Sequence, residues 1–442
     1  MLFSKDDMKR LLIPLLLEQA LAVTIGMMDT MMVSGCGEAA VSGVSLVDTI
    51  NLLLINVFSA LATGGAVVTA QYLGKQDRQE AGCAAKMLFY VILAVSGVIM
   101  ALCLLFRIPL LDTIYGHIEP DVMESARTYL FWSAVSYPFL AMYNASAALL
   151  RSMGNAKASL NTSLVMNVIN VVGNAILIYG FGMGVAGAAI ATLVSRIIGA
   201  GCMQVALKNP HCSIPYPHLL QFEIRGDLVR MILKVGVPNG VEGGIFQFGK
   251  LILLRLVSTF GTVSVAANAV GNSLATLQVL PGNAIGLGMV TVVGRCVGAH
   301  EFKQARYYVK RMMILAYASM SILNVVMLLG MSLLVMPYNL SPETEALAKQ
   351  IIAVHGIGSI FIWPMAFVLP NALRAAGDAR FTMAVSIFSM AAFRVVFGYI
   401  LARNLGLGVI GVWMAMQIDW VFRSTLFLLR MKSGKWETKV LV

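Results

Sequence analysis

LLIPLLLEQALAVTIGMMDTMMV, Leu11–Val33, is an apolar run with two acids inside it, Glu18 and Asp29, and with Lys9 and Arg10 at its entrance. About 20 mostly apolar residues cross the hydrocarbon core of a bilayer as a helix. An ionised carboxylate near mid-bilayer costs at least roughly 2.5–3.5 kcal/mol, so intramembrane acids default to function. At about 100° per residue the two acids lie on nearly one helix face, about 16 Å apart along the axis. Pairing with cations on neighbouring helices is the bland alternative, and it weighs more for Glu18 than for Asp29.

The rest of the chain extends this reading. Of 442 residues, 59% are hydrophobic and only 12% charged, against about 25% charged in a soluble domain. Mean hydropathy is +0.82. The chain is therefore an all-α, polytopic membrane protein, with continuous apolar runs far longer than the strands of a barrel. Twelve spans are expected, at about 10–34, 45–72, 86–107, 126–150, 158–180, 184–207, 231–258, 266–294, 310–337, 348–373, 381–402 and 408–430. The first is too long and too acidic for a signal peptide. Cys36, Cys83, Cys103, Cys202, Cys212 and Cys296 are scattered, without a CxxC pair, and read as small buried hydrophobes.

The net charge of +11 does not call for nucleic acid, because Lys and Arg collect on cytoplasmic loops to set topology. Both termini and the even-numbered loops are rich in Lys and Arg. The opposite loops carry only Arg107, Arg127, Lys349 and Arg403. Both termini are thus expected in the cytoplasm.

The two halves repeat. Pro14-x-x-x-Glu18 returns as Pro238-x-x-x-Glu242, and Gly37, Gly74 and Ala81 return as Gly261, Gly298 and Ala305, all at an offset of 224. Leu150-Arg151-x-x-Gly154-Asn155-Ala156-Lys157 returns at 223 as Leu373-Arg374-x-x-Gly377-Asp378-Ala379-Arg380. Gly182-x-Gly184-Val185-x-Gly187 returns at 224 as Gly406-x-Gly408-Val409-x-Gly411. Six spans per copy bring both copies in from the same side, as parallel repeats. The expected division is an N-lobe at 1–207, a cytoplasmic linker at 208–230 containing Pro210, Pro215 and Pro217, and a C-lobe at 231–442.

Some motifs mislead. Gly244-x-x-x-x-Gly249-Lys250 imitates a phosphate loop, but Leu251 stands where Ser or Thr must reach Mg²⁺, and no strand precedes it. The two GxGxxG runs follow helices and read as tight turns. The five histidines show no metal spacing. No cofactor is expected.

The scaffold repeats, but its intramembrane polar residues do not. At the 224 offset Asp29 becomes Leu253, Asn170 becomes Arg394, Asn174 becomes Gly398 and Thr192 becomes Met416. Asp29, Asn170, Asn174 and Thr192 are expected to converge between spans 1, 5 and 6. A carboxylate, amide carbonyls and a hydroxyl are hard oxygen ligands suited to Na⁺; the same carboxylate, desolvated, is suited to a proton. In the second half Glu242 and Arg394 are cavity candidates, and Glu18 is grouped with them. Lys250 and Arg255 are expected to snorkel or to pair with an acid. Asp419 is expected to pair with Arg423 one turn on. Asp48 is expected to cap the start of span 2, and Arg151 and Arg374 are read as topology and capping residues.

These residues resemble the multidrug and toxic compound extrusion (MATE) transporters. The likeness rests on Asp29-Thr-Met-Met-Val, Gly37-x-x-Ala40-Val-x-Gly43-Val-Ser45, Gln71-x-x-Gly74 and the two LRxxG(N/D)A(K/R) turns, and covers nearly the whole chain. The resemblance implies a V-shaped pair of six-helix lobes. It also implies export of amphiphilic, often cationic compounds driven by Na⁺ or H⁺. Asp29 matches the cation-coupling aspartate of the family, Asn170 and Thr192 match its polar partners, and Asn144 in span 4 matches another. The chain departs from some members by Asn174 where they carry a second acid in span 5. Other members carry acids deeper in spans 7 and 10.

The expectation is a cation-coupled antiporter of the inner membrane, not an enzyme, working as a monomer by alternating access on a small amphiphilic substrate. One rival is a flippase for a lipid-linked sugar of the same superfold, which would line its cavity with cations for pyrophosphate. Another is an integral-membrane prenyl transferase, which would need paired Asp-rich metal motifs absent from this sequence.

Overall fold

A computed structural model describes residues 2–116, 118–210, 212–216 and 223–442. The linker's Pro217, and His117, His211 and His218, lie outside the described residues. Twelve membrane segments follow in chain order. The first six are α1 (Lys5–Ser34), α2 (Glu38–Gly74), α3 (Arg78–Leu105), α4 (Pro120–Ser152), α5 (Ala156–Gly180) and α6 (Gly184–Leu207). The second six are α7 (Gly226–Ser258), α8 (Thr262–Gln278 and Leu280–Gly298), α9 (Phe302–Leu329), α10 (Pro342–Phe361 and Pro364–Ala375), α11 (Ala379–Asn404) and α12 (Gly408–Lys432). Among the described residues there is no strand. Seven of these helices, or eight with the bent pair of α10, are long and apolar enough by composition alone to cross a membrane.

The chain divides into two compact units. Ser4–Gly240 form one; Val241–Val442, with Leu2 and Phe3, form the other. In the first unit α1 opens on a capping box: Ser4 Oγ accepts from Asp7 N, and Asp7 Oδ2 accepts from Ser4 N at 2.9 Å. In the second, the Phe3 amide donates to Tyr308 Oη at 3.0 Å and the Tyr308 hydroxyl donates to the Phe3 carbonyl at 2.8 Å.

The repeat is written in the backbone. Left-handed residues recur in pairs: Gly37 and Gly261, Gln76 and His300, Gly154 and Gly377, Gly182 and Gly406, Gly184 and Gly408. The LRxxG and GxGxxG runs are thus tight turns at matching places, where glycine takes a positive φ without steric cost. Packing repeats as well. A Cβ on Gly187 would meet the Leu177 backbone, and one on Gly411 would meet the Leu401 backbone 224 residues later. Small residues at these crossings let membrane helices approach closely.

Three expectations are corrected. α2 begins at Glu38, not near residue 45, so Asp48 lies almost three turns inside it and caps nothing. The single span expected at 266–294 is broken at Val279, just before Pro281. The freed Gln278 carbonyl accepts from Asn324 Nδ2 at 3.0 Å, as a buried broken helix requires. The span expected at 348–373 bends by 66° between Phe361 and Pro364.

Three membrane segments contain four wider π-helical turns. Ala175–Gly180 ends α5, Pro364–Val368 follows the bend of α10, and Met390–Val396 and Ile400–Asn404 lie in α11. Such turns re-aim side chains and collect at functional sites.

Candidate functional site

In the first unit, apolar packing sets the geometry. Val33 of α1, Ala40 and Val44 of α2, Ile178 of α5, and Val185 and Ala188 of α6 form one buried cluster. Gly173 of α5 faces Ala191 of α6 so closely that a Cβ there would sit 3.0 Å from the alanine methyl. The Tyr179 hydroxyl donates to the Met32 carbonyl at 3.0 Å, tying the π-helical turn to α1. These contacts bring the polar residues of α1, α5 and α6 together.

Asn174 Nδ2 donates to Asp29 Oδ1 at 2.9 Å. A carboxylate accepts and does not donate, so the Asn170 amide is placed with its nitrogen toward Asp29. It then donates to Oδ1 at 2.6 Å and to Oδ2 at 3.3 Å, while its oxygen faces Thr192 Oγ1 at 3.1 Å. Asn170 and Asn174 are buried, and Asn174 Oδ1 has no hydrogen-bond partner among the described residues. The four residues expected to converge therefore do so. Asn144 has a buried Nδ2 that lacks a hydrogen-bond partner among the described residues.

A second layer adjoins them. The Tyr129 hydroxyl bonds to Asp48, and Asn51 Nδ2 donates to Asp48 Oδ1 at 3.2 Å. The Tyr137 hydroxyl donates to Asn51 Oδ1 at 2.9 Å. Arg196 Nη1 donates to Ser136 Oγ at 2.5 Å, and Arg196 is within electrostatic reach of both Asp48 and Asp29. Sequence reasoning missed this layer. The signal was Arg196, a cation lying inside a span.

The second unit is built differently at mid-span. Three cations surround one ring. Arg394 Cζ lies 4.8 Å from the centroid of Phe246, Lys250 Nζ 5.1 Å and Arg423 Cζ 5.7 Å. Cations within about 6 Å of a ring face are attracted by its quadrupole. Asp419 is the local carboxylate. It accepts from Arg423 Nε at 2.8 Å, lies 3.6 Å from Arg394 Nη1, and also accepts from Ser389 Oγ. The expected i,i+4 pair is present, but it is shared with Arg394. Arg394 is 7% exposed, and its Nε has no hydrogen-bond partner among the described residues. Lys250 and Arg255 are exposed, and no described carboxylate lies within 4 Å of either.

Glu18 and Glu242 stand in neither cluster. Glu18 lies 3.6 Å from Arg151 and accepts from Ser159 Oγ at 2.9 Å. Glu242 accepts from Arg374 Nη2 at 2.8 Å on both oxygens. The acid of each repeat thus pairs with the arginine of the same repeat's LRxxG turn. Arg151 and Arg374 are ion-pair partners, not merely topology or capping residues.

A duplicated set of six helices with apolar spans and charges at mid-span defines a polytopic membrane protein. The MatE family model matches the chain twice, over residues 14–176 and 238–400. The chain belongs to the MatE family, the multidrug efflux transporters its sequence resembles. The uncharacterized transporter YisQ of Bacillus subtilis (strain 168) is 27% identical over 437 residues, covering 96% of this chain and 94% of its own length. The probable multidrug resistance protein NorM of Thermotoga maritima is 25% identical, with 99% and 94% covered. A crystal structure of MATE in the bent conformation has the same fold, with a TM-score of 0.88 over 98% of this chain and 96% of that one, at 19% identity.

Proposed function

We propose that the protein is a cation-coupled antiporter of the inner membrane that exports a small amphiphilic, often cationic, compound by alternating access. Asp29 loads Na⁺ or a proton, with Asn170, Asn174 and Thr192 as its partners. The observation that carries this reading is a part-buried carboxylate gripped by two amides, beside an amide oxygen with no partner among the described residues. Rotation of the two amides would present oxygens to a hard cation; protonation of Asp29 would release the amide donors. Either event changes what holds α1 to α5. A ligand moves a conformational equilibrium only through such differential contacts.

The basic-residue bias supports cytoplasmic termini and a cytoplasmic linker at 208–230 between lobes at 1–207 and 231–442. An impermeant thiol reagent that labels a linker cysteine from outside intact cells would reverse that orientation. The test of coupling is dye efflux from proteoliposomes under an imposed Na⁺ gradient and, separately, an imposed H⁺ gradient. One gradient is expected to drive efflux; efflux under neither overturns the reading.

The second unit favours a second reading of the substrate. Lys250, Arg394 and Arg423 surround Phe246, and only Arg394 and Arg423 are paired, both with Asp419; that excess positive charge suits an anionic group. A zwitterionic substrate or a lipid-linked sugar pyrophosphate meets this condition; a simple cation does not. Binding of a cationic dye against a lipid pyrophosphate to the purified protein separates the two readings.

A further inference from the structure

A groove of about 550 Å³ lies in the second unit among α9, α10 and α12. Its walls are apolar: Met313 and Ile314 of α9, Met365 and Leu369 of α10, and Leu428 of α12. Met365 and Leu369 come from the piece of α10 that follows the 66° bend. The Tyr317 hydroxyl, also in the wall, is occupied by the Phe361 carbonyl at 3.2 Å, at the end of the first piece. The groove therefore offers almost no polar group along its length.

Its charge is confined to one end. Arg306 and Lys310 open α9 and Lys432 closes α12. Arg306 is held by Glu437 at 2.6 Å. Lys310 and Lys432 are exposed, and no described carboxylate lies within 4 Å of either. From Arg306 to Tyr317 the helix rises about 16 Å, close to half of a hydrocarbon core of about 30 Å. The geometry is thus one leaflet deep, apolar for that depth, and cationic at the rim. The rim lies on the side that the basic-residue bias assigns to the cytoplasm.

We infer that this groove is a binding site for one anionic phospholipid, with its phosphate between Lys310 and Lys432 and an acyl chain along Met313, Ile314 and Met365. Basic pockets between membrane helices on the cytoplasmic side select anionic headgroups, and each lysine near an anionic surface adds to the attraction. The three methionines of the wall, Met313, Met365 and Met431, are unbranched and adapt to a mobile chain. Lipid fills any groove that faces a bilayer; the site's distinction is its choice of headgroup.

The test is native mass spectrometry of the purified full chain with equimolar phosphatidylglycerol and phosphatidylcholine of identical acyl chains. One phosphatidylglycerol per chain is expected, preferred about tenfold. Lys310→Gln with Lys432→Gln should bring the preference to within about twofold, since both side chains are exposed and pair with no described carboxylate whose loss would unfold the protein. Ile314→Trp, at a wall residue 57% exposed, should reduce retention of both lipids with the charges intact. Equal retention of the two lipids by the unaltered chain overturns the site. So does an undiminished preference in the double variant, displacement of the lipid by millimolar inorganic phosphate, or a mass showing the groove closed by a second copy of the chain.

Discussion

Asn170 and Arg394 occupy the same place in the two repeats, and each touches the same partner position. Asn170 faces Thr192 at 3.1 Å; Arg394 Nη2 lies 3.1 Å from Met416 Sδ, 224 residues on. The helix contact is retained while its chemistry inverts. Around Asn170 the charges within the spans are Asp29, Asp48 and Arg196, amid amides and hydroxyls. Around Arg394 they are Lys250, Arg394, Arg423 and Asp419, amid aromatic rings. The difference assigns tasks. A guanidinium is always charged and cannot act as a switch, and Asp419 is already taken by two of them. The hydrogen bonds that Asp29 accepts among the described residues come from neutral amides, which can be exchanged for a cation or released by a proton.

The largest effect that would break this comparison is on transport. Asp29→Asn removes a costly intramembrane charge and should insert at the normal level, yet lose gradient-driven efflux. It should also lose any shift in substrate affinity on adding Na⁺ or changing pH, because coupling is reciprocal between the two ligands. Wild-type efflux from folded Asp29→Asn protein would make Asp29 a packing residue.

The counterpart in the second unit should behave in the opposite way. Asp419→Asn leaves Arg423 and Arg394 buried without an anion, and breaking such a cluster costs about 3–5 kcal/mol. Thermal unfolding in detergent should show a large fall in melting temperature and a reduced level in the membrane. A stable Asp419→Asn protein that has lost only coupling would move the switch to the second unit.

The smallest effects sharpen the comparison where the repeats agree. Glu242→Gln removes the charge that Arg374 grips on both oxygens, and should cost about 3 kcal/mol. Glu18→Gln gives up a longer contact with Arg151 and keeps a hydrogen bond available to Ser159, so about 1 kcal/mol is expected. Neither should alter the driving ion. If the two substitutions cost the same, the shorter distance in the second repeat carries no extra stability.

The fold was legible because a repeat leaves a regular trace: matching Pro-Glu pairs, LRxxG turns and glycine turns fixed the helix number and order. The Asp29 cluster was legible because its members are rare residues for a membrane span, and two of them, Asn170 and Asn174, sit one turn apart on one helix. Partnerships across long separations left no such trace. Glu242 and Arg374 are 132 residues apart, and the sequence offers no periodicity that joins them. The same holds for Tyr129 and Asp48, whose neighbours are set by how α2 crosses α4. The break in α8 did have a signal, Pro281-Gly282, which hydropathy alone overrode.

The π-helical turn at Met390–Val396 also carries a record of history. The offset between the copies is 223 at Ala156 and Ala379, and 224 again by Gly182 and Gly406. The second copy has therefore gained one residue between those turns. α5 has one wide turn where α11 has two, and a wide turn is how a helix absorbs an extra residue without shifting its ends. Arg394 sits inside that added turn. A single-codon insertion after duplication would lengthen one helix, leave both flanking turns in register, and open a place where one copy could take up a new charge while the other kept the old chemistry.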